Sequence, residues 1–301
     1  MADKNILVIG SSNTDMVVKT DRFPKPGETI LGGEFFMFGG GKGGNQAVAA
    51  ARLGGNVTFL CKVGTDVFGD NAIQGYKKES VETNYILRDQ EQASGVALIT
   101  VDSEGENSII VAPGANNNLS IADITESINL IHQADIVLLQ LEIPLKTVSH
   151  VLKLAKESHK KVILNPAPAA VLSDEDYKNL FLITPNETEA ELLSGISVTD
   201  EGSAAKAAIH LKEKGVKNVV ITMGKNGAYV DAKDFVGLIA SPIAKAVDST
   251  AAGDVFNGAL AVALAQERSW KETVEFACKA ASISVTRMGA QLSAPYLYEL
   301  I

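Results

Sequence analysis

From residue 136 onward the chain alternates short apolar runs with helix-length amphipathic segments, and that alternation restricts the fold more than any other feature. The runs 136–141, 161–164, 181–183, 219–222 and 228–230 read as strands. The segments 145–158, 187–193, 204–213, 253–266 and 271–286 read as helices. Apolar runs of this kind have no polar face to turn to water, so both faces must be covered. Strand and helix in alternation then imply a mostly parallel sheet with helices on both sides. Apolar residues make up 46% of the 301 residues, enough to fill two such core layers. Upstream, 6–9 reads as a buried strand closed by Gly10 and Ser11. The segment 45–53 is a small-residue helix stopped by Gly54 and Gly55, and 57–63 is another strand.

Two early segments, about 15–38 and 94–112, break the pattern. They carry polar residues and glycines where a central parallel strand would be apolar, and the second bends at the polar turn 102–106. They read as a small separate sheet over the main one, a lid; the alternative is a pair of surface hairpins. No linker or repeat divides the chain, so 1–301 is read as a single α/β domain with these lid strands.

Formal charge is −9 with no long basic run, which argues against a nucleic-acid or anionic-membrane surface. No stretch approaches the about 18 apolar residues of a membrane span. Residues 1–5 lead straight into the first strand without the features of a secretory signal. The two cysteines, Cys61 and Cys278, form no CxxC pattern, which fits a reducing cytoplasm.

The stretch Asp248-Ser249-Thr250-Ala251-Ala252-Gly253-Asp254 runs from a small-residue turn into a helix. Ala251, Ala252 and Gly253 have almost no side chain, so their backbone N–H groups can approach an anion at the helix N-terminus. Asp254 stands beside that position. It can accept a proton from an alcohol while the N–H groups stabilise a transferring phosphoryl group. Asp254 as a plain helix cap is the equal alternative at this level.

The cluster Gly39-Gly40-Gly41-Lys42-Gly43-Gly44-Asn45 raises a rival. Gly39, Gly41 and Gly44 match GxGxxG, with Asp66 about 20 residues on, the pattern of an NAD(P)-binding oxidoreductase. The cluster does not follow the first buried strand, however, and Lys42 is followed by Gly43 rather than Ser or Thr, so it is no Walker A loop. Alternatively, the glycines let a polyhydroxylated ligand lie against the backbone, with Lys42 and Asn45 as donors and Asn13 and Asp15 at the end of the first strand.

With these segments in view the chain resembles the ribokinase family of carbohydrate kinases. The resemblance runs through Gly10-Ser11-Ser12-Asn13-Thr14-Asp15, Gly40-Gly41-Lys42-Gly43-Gly44-Asn45-Gln46, Asn165-Pro166-Ala167-Pro168, Thr184-Pro185-Asn186-Glu187-Thr188-Glu189, the 248–258 segment and Gly289-Ala290-Gln291. It implies a Rossmann-like α/β domain with a β lid, often shared across a homodimer. It also implies transfer of the ATP γ-phosphoryl group to O5 of D-ribose, with related kinases of deoxyribose, fructose or nucleosides as the alternative. On this resemblance Asp254 is the base, and Ala251, Ala252 and Gly253 form the anion hole. Asn13, Asp15, Gly41, Lys42, Asn45 and Glu142 hold the sugar. Asn186 and Glu189 organise Mg²⁺ and phosphate through water. Thr222, Gly224 and Gly227 form the nucleotide loop, and Cys278 lies near the adenine where relatives often have His. Oxygens of Asp248, Thr250, Ser284, Arg287, Gly289 and Ser293 bind a monovalent cation, K⁺. The histidines 132, 150, 159 and 210 show no metal-ligand spacing and read as solvated helix residues.

Overall fold

The first apolar run, β1 (Asn5–Ile9), sends Ile6 and Val8 into one core and Leu7 and Ile9 into another. That division is what a strand buried on both faces requires. The computed structural model describes residues 4–300; residues 1–3 of the N-terminal run, and residue 301, lie outside the described residues. In chain order the further strands are β2 (Asn13–Lys19), β3 (Glu34–Gly40), β4 (Asn56–Gly64), β5 (Ile86–Asp89), β6 (Gly95–Val101), β7 (Asn107–Ala112), β8 (Ile136–Leu139) and β9 (Lys161–Leu164). They continue with β10 (Leu182–Ile183), β11 (Asn218–Thr222), β12 (Ala228–Ala232) and β13 (Phe235–Ile239).

Nine of these strands make one sheet in the order β13-β12-β11-β10-β9-β8-β1-β4-β5. Pairing is parallel from β5 to β11 and antiparallel at β11/β12 and β12/β13. The helices Lys42–Arg52, Ala252–Ala265 and Trp270–Ser284 bury their apolar side chains against one face. Leu145–Glu157, Glu187–Ser194 and Glu201–Glu213 cover the other. The mostly parallel α/β architecture is the one read from the alternation; only β12 runs against the other strands, because short turns join it to β11 and β13. The chain leaves β1 toward β4 on one side and returns to β8 on the other. The crevice at the carboxyl ends of β1 and β8 is therefore the place where such a sheet binds ligands.

The remaining four strands form a second sheet, β3-β2-β6-β7, from the two segments that broke the alternation. Several elements differ from the sequence reading. The helix expected to begin at Asn45 begins at Lys42. The helix Val67–Lys78 and strands β5 and β13 were not anticipated. Val67–Lys78 buries only Gly69 and Tyr76, so its apolar face is too thin to announce itself.

The Lys42–Arg52 and Ala252–Ala265 helices touch through Gly258. A Cβ there would lie 2.8 Å from Ala49 Cβ and 2.9 Å from both the Ala50 nitrogen and the Gln46 carbonyl oxygen. Gly258→Val therefore forces two helices apart at backbone contacts. We expect a loss of about 3 kcal/mol in chemical denaturation, against a change under about 1 kcal/mol for a substitution at the open Gly75.

Candidate active site

The glycine cluster closes the crevice from one side. Gly41 adopts φ 82° at the N-cap of the Lys42–Arg52 helix, and a Cβ on it would stand 2.7 Å from the Asn13 nitrogen. A Cβ on Gly43 would stand 2.6 Å from the Ser11 nitrogen. These glycines are pressed against the chain's own backbone after β1, and they follow β3 of the small sheet rather than a strand of the large one. The context that a dinucleotide fingerprint needs, a parallel strand feeding the loop and an open helix N-terminus, is absent there. Instead, Glu142 closes that terminus: its Oε2 accepts the Lys42 N–H at 2.9 Å and the Ser11 hydroxyl at 2.5 Å.

Opposite the cluster stands the N-terminus of the Ala252–Ala265 helix. Its N-cap is Ala251, held at φ 60° with no side-chain cap bond. A left-handed alanine costs roughly 1 kcal/mol, and such strain collects at functional turns. The Ala252 N–H donates to the Ser249 carbonyl at 3.2 Å. Among the described residues, the N–H groups of Ala251, Gly253 and Asp254 find no backbone acceptor, and all three residues line the cleft. Asn257 braces the turn, donating to the Gly253 carbonyl at 2.8 Å and accepting the Thr184 hydroxyl at 2.6 Å.

Asp254 does not cap its helix. Its Oδ2 accepts from Asn45 Nδ2 and its Oδ1 from Gln46 Nε2, both at 2.9 Å. The residue is 5% exposed. Burial pushes its carboxyl up, opposed by the Lys42 ammonium and the two amides. Asp15 is raised to about 6, first by burial and then by the charges of Glu142 and Asp254. Burial also raises Glu189, against the Asn186 N–H and Lys42. Lys42 is the ammonium these carboxylates share. Burial works against its charge, yet Asp254, Glu142, Glu189 and Asp15 outweigh it and hold its pKa above the ordinary lysine value. Burial thus raises Asp15, Asp254 and Glu189, and the Lys42 charge counters that rise at all three.

A cleft of about 180 Å³ joins these parts, lined by Lys42, Asn165, Thr184, Asn186, Glu189, Thr222 and the 251–254 turn. It opens onto a more apolar cavity of about 480 Å³ between Gly224, Lys225, Asn226, the 241–246 loop and Ala281, Ser282 and Val285. Ser249 and Ala252 line both. Gly227 sits at φ 105° where the same loop turns back. Cys278 lies one turn earlier on the Trp270–Ser284 helix, in the core and outside the cavity lining; burial pushes its thiol up to about 12. A larger cavity, about 780 Å³, opens near Lys4 and Arg268 at the amino ends of β1 and β4, away from these groups.

Asn186 and Glu189 form a reciprocal capping box. Glu189 accepts the Asn186 N–H at 3.0 Å, and Asn186 Oδ1 accepts the Glu189 N–H at 2.8 Å. Asp248 accepts the N–H of Thr250 at 2.9 Å and of Gly289 at 3.0 Å. Burial opposes its charge, but these bonds hold its carboxyl below the usual range. The Asp248 backbone N–H donates to Val285, which places this turn beside Ser284 and Arg287. The Arg287 guanidinium pairs with Glu299, and the oxygen that Arg287 could offer a cation is its backbone carbonyl. Ser293 is buried in the next short helix.

Sequence reasoning passed over the polar residues behind the site. Asn116 accepts the Ser12 N–H and donates to Asn13 Oδ1 at 2.7 Å. Gln140, Gln46 and Asn165 form a buried amide chain that ends on Asp254. Gln46 and Asn165 stand inside motifs quoted above, but nothing local marks a buried amide as part of a site.

An α/β sheet carrying a helix N-terminus, a buried carboxylate beside its free N–H groups, and a shared lysine defines a phosphotransferase acting on a small alcohol. The comparisons with known proteins agree. The model of the pfkB family carbohydrate kinases matches residues 3–297. The chain is 44% identical to the ribokinase of Haemophilus influenzae, over 99% of this chain and 97% of that one. It is 38% identical to a deoxyribokinase of Salmonella typhi, over 97% and 95%. The structure of Arabidopsis thaliana ribokinase complexed with ribose and ATP superposes with a TM-score of 0.93 at 31% identity, covering 100% of this chain and 98% of that one. The chain belongs to the pfkB family of carbohydrate kinases, and the oxidoreductase reading of 39–44 falls.

Proposed function

We propose that the protein transfers the γ-phosphoryl group of ATP to O5 of D-ribose, giving D-ribose 5-phosphate and ADP. The observation that carries the proposal is Asp254, held by Asn45 and Gln46 beside the N–H of Gly253. Asp254 takes the hydroxyl proton as the sugar oxygen attacks the γ-phosphorus and the bond to the β-phosphate oxygen breaks. The Gly253 and Asp254 N–H groups, at a helix N-terminus, stabilise the charge on the transferring group. Asn13, Asp15, Gly41, Lys42, Asn45 and Glu142 orient the sugar. Thr222, Gly224 and Gly227 hold the nucleotide, whose base enters the apolar cavity with Cys278 behind its wall. A curated ribokinase and a ribokinase solved with ribose and ATP support this reading.

Magnesium, bound with the nucleotide, supplies charge neutralisation at the phosphates. The oxygens of Asn186 and Glu189 are committed to their capping box, which suits an ion that keeps its water shell. The cation turn offers one carboxylate, Asp248, among hydroxyl and backbone oxygens. A single carboxylate among neutral oxygens suits a monovalent cation such as K⁺ better than a divalent ion.

The second sheet acts as a lid shared in a homodimer. By register, Met37, Met16, Leu98 and Ile110 lie side by side on one of its faces, and Met37, Leu98 and Ile110 are exposed. An apolar row of this kind invites a second copy. Among the described residues both cysteines are free and buried, and no helix is long and apolar enough to cross a membrane.

The test is ADP formation against D-ribose, 2-deoxyribose, fructose and adenosine, with and without K⁺. The highest kcat/KM falls on D-ribose; preference for another acceptor overturns the substrate, and no ATP turnover overturns the reaction. The pH dependence follows from Asp15. Its ionised carboxylate accepts sugar hydroxyls, and its pKa is about 6. KM for the sugar is therefore flat above that pH and rises roughly tenfold per unit below it. A KM independent of pH from 5 to 8 removes Asp15 from the sugar site.

A further inference from the structure

We propose that Gln46 is the positioning residue for Asp254: its side-chain amide, fixed by Gln140 and Asn165, sets the orientation and ionisation of the base. The inference rests on the reading of Asp254 as base and adds a residue that never touches the sugar. Gln46 is fully buried, yet each of its polar contacts is made. Its Nε2 donates to Asp254 Oδ1 at 2.9 Å and to Asn165 Oδ1 at 3.1 Å. Its Oε1 accepts from Gln140 Nε2 at 2.6 Å. A flipped amide would turn its oxygen onto two other oxygens, so the surroundings admit one orientation. The carboxylate thus meets a donor that cannot rotate away, and Asp254 lines the cleft.

The charged groups facing Asp254 come from four elements. Lys42 shares the helix with Gln46 and favours the carboxylate. Glu142 after β8, Asp15 on β2 and Glu189 on the Glu187–Ser194 helix oppose it. Burial opposes the carboxylate most, while Lys42 and the Asn45 and Gln46 donors favour it, so loss of the Gln46 donor raises the Asp254 pKa further. A hydrogen bond to a charged group is worth about one to two pH units of ionisation.

The test uses Gln46→Met, close in volume but without a donor, alongside Gln140→Met, which keeps the donor and loosens it. For Gln46→Met the acidic limb of the kcat/KM–pH profile moves up by roughly one to two units. At pH 7 kcat falls roughly 10- to 100-fold while KM for the sugar changes less than about threefold. Gln140→Met shifts the same limb in the same direction by less, and carries the test if Gln46→Met does not fold. A folded variant that loses stability but keeps the wild-type acidic limb assigns Gln46 to packing alone and overturns the inference. Asp254→Asn is assayed in parallel. If it retains turnover, the base reading fails; if it is inactive while the Gln46→Met limb is unmoved, only the role of Gln46 fails.

Discussion

Asp254→Asn is expected to lower kcat by roughly 10³-fold or more while sugar affinity, measured by calorimetry, stays within a few-fold. Asparagine keeps the shape of the side chain and can still meet Asn45 and Gln46 after an amide turn, so the cleft survives. What it lacks is a lone pair basic enough to take the hydroxyl proton. The Gly253 and Asp254 N–H groups remain and continue to stabilise the transferring group, which leaves a residual rate rather than zero. The separation between kcat and affinity is the informative feature. A collapsed cleft would lose both together.

Lys42→Met is expected to cost roughly 10²- to 10³-fold in kcat/KM and to act on both terms. The Lys42 ammonium interacts with Asp15, Glu142, Asp254 and Glu189, and its charge counters the effect of burial at Asp15, Asp254 and Glu189. Without it Asp15 rises beyond about 6 and Asp254 rises with it. Both are then more protonated at neutral pH. The acidic limb of the profile moves up, sugar KM increases because Asp15 no longer accepts, and kcat falls because the base is neutralised. Raising the pH restores part of the loss. A loss of the same size at every pH would place Lys42 in direct contact with substrate only, not in control of the carboxylates.

The large sheet was legible because its strands are apolar on both faces and its helices are long; periodicity needs no more than that. The Val67–Lys78 helix escaped because it buries only Gly69 and Tyr76. The early start of the Lys42–Arg52 helix escaped because glycines at 43 and 44 argue against a helix locally. They are tolerated since a Cβ at 43 would strike the Ser11 backbone and one at 44 the Tyr76 hydroxyl. At the site, cap and base were equal for Asp254 on local chemistry alone; the resemblance favoured the base, and the structure puts its carboxylate on Asn45 and Gln46 rather than on its own helix. The Asn186–Glu189 pair shows the converse. A metal role came from resemblance, and the local geometry is first of all a capping box. The amide chain through Gln140 and Asn165 joins residues about 100 positions apart, and no local pattern carries such a contact.

Phosphoryl transfer itself is followed most directly by mixing ATP, Mg²⁺ and D-ribose with the wild-type protein and with Asp254→Asn, and identifying the phosphorylated product. The mechanism predicts stoichiometric ADP and D-ribose 5-phosphate from the wild type, and sugar binding with almost no product from the variant. Product formed by Asp254→Asn at a near-wild-type rate would contradict it.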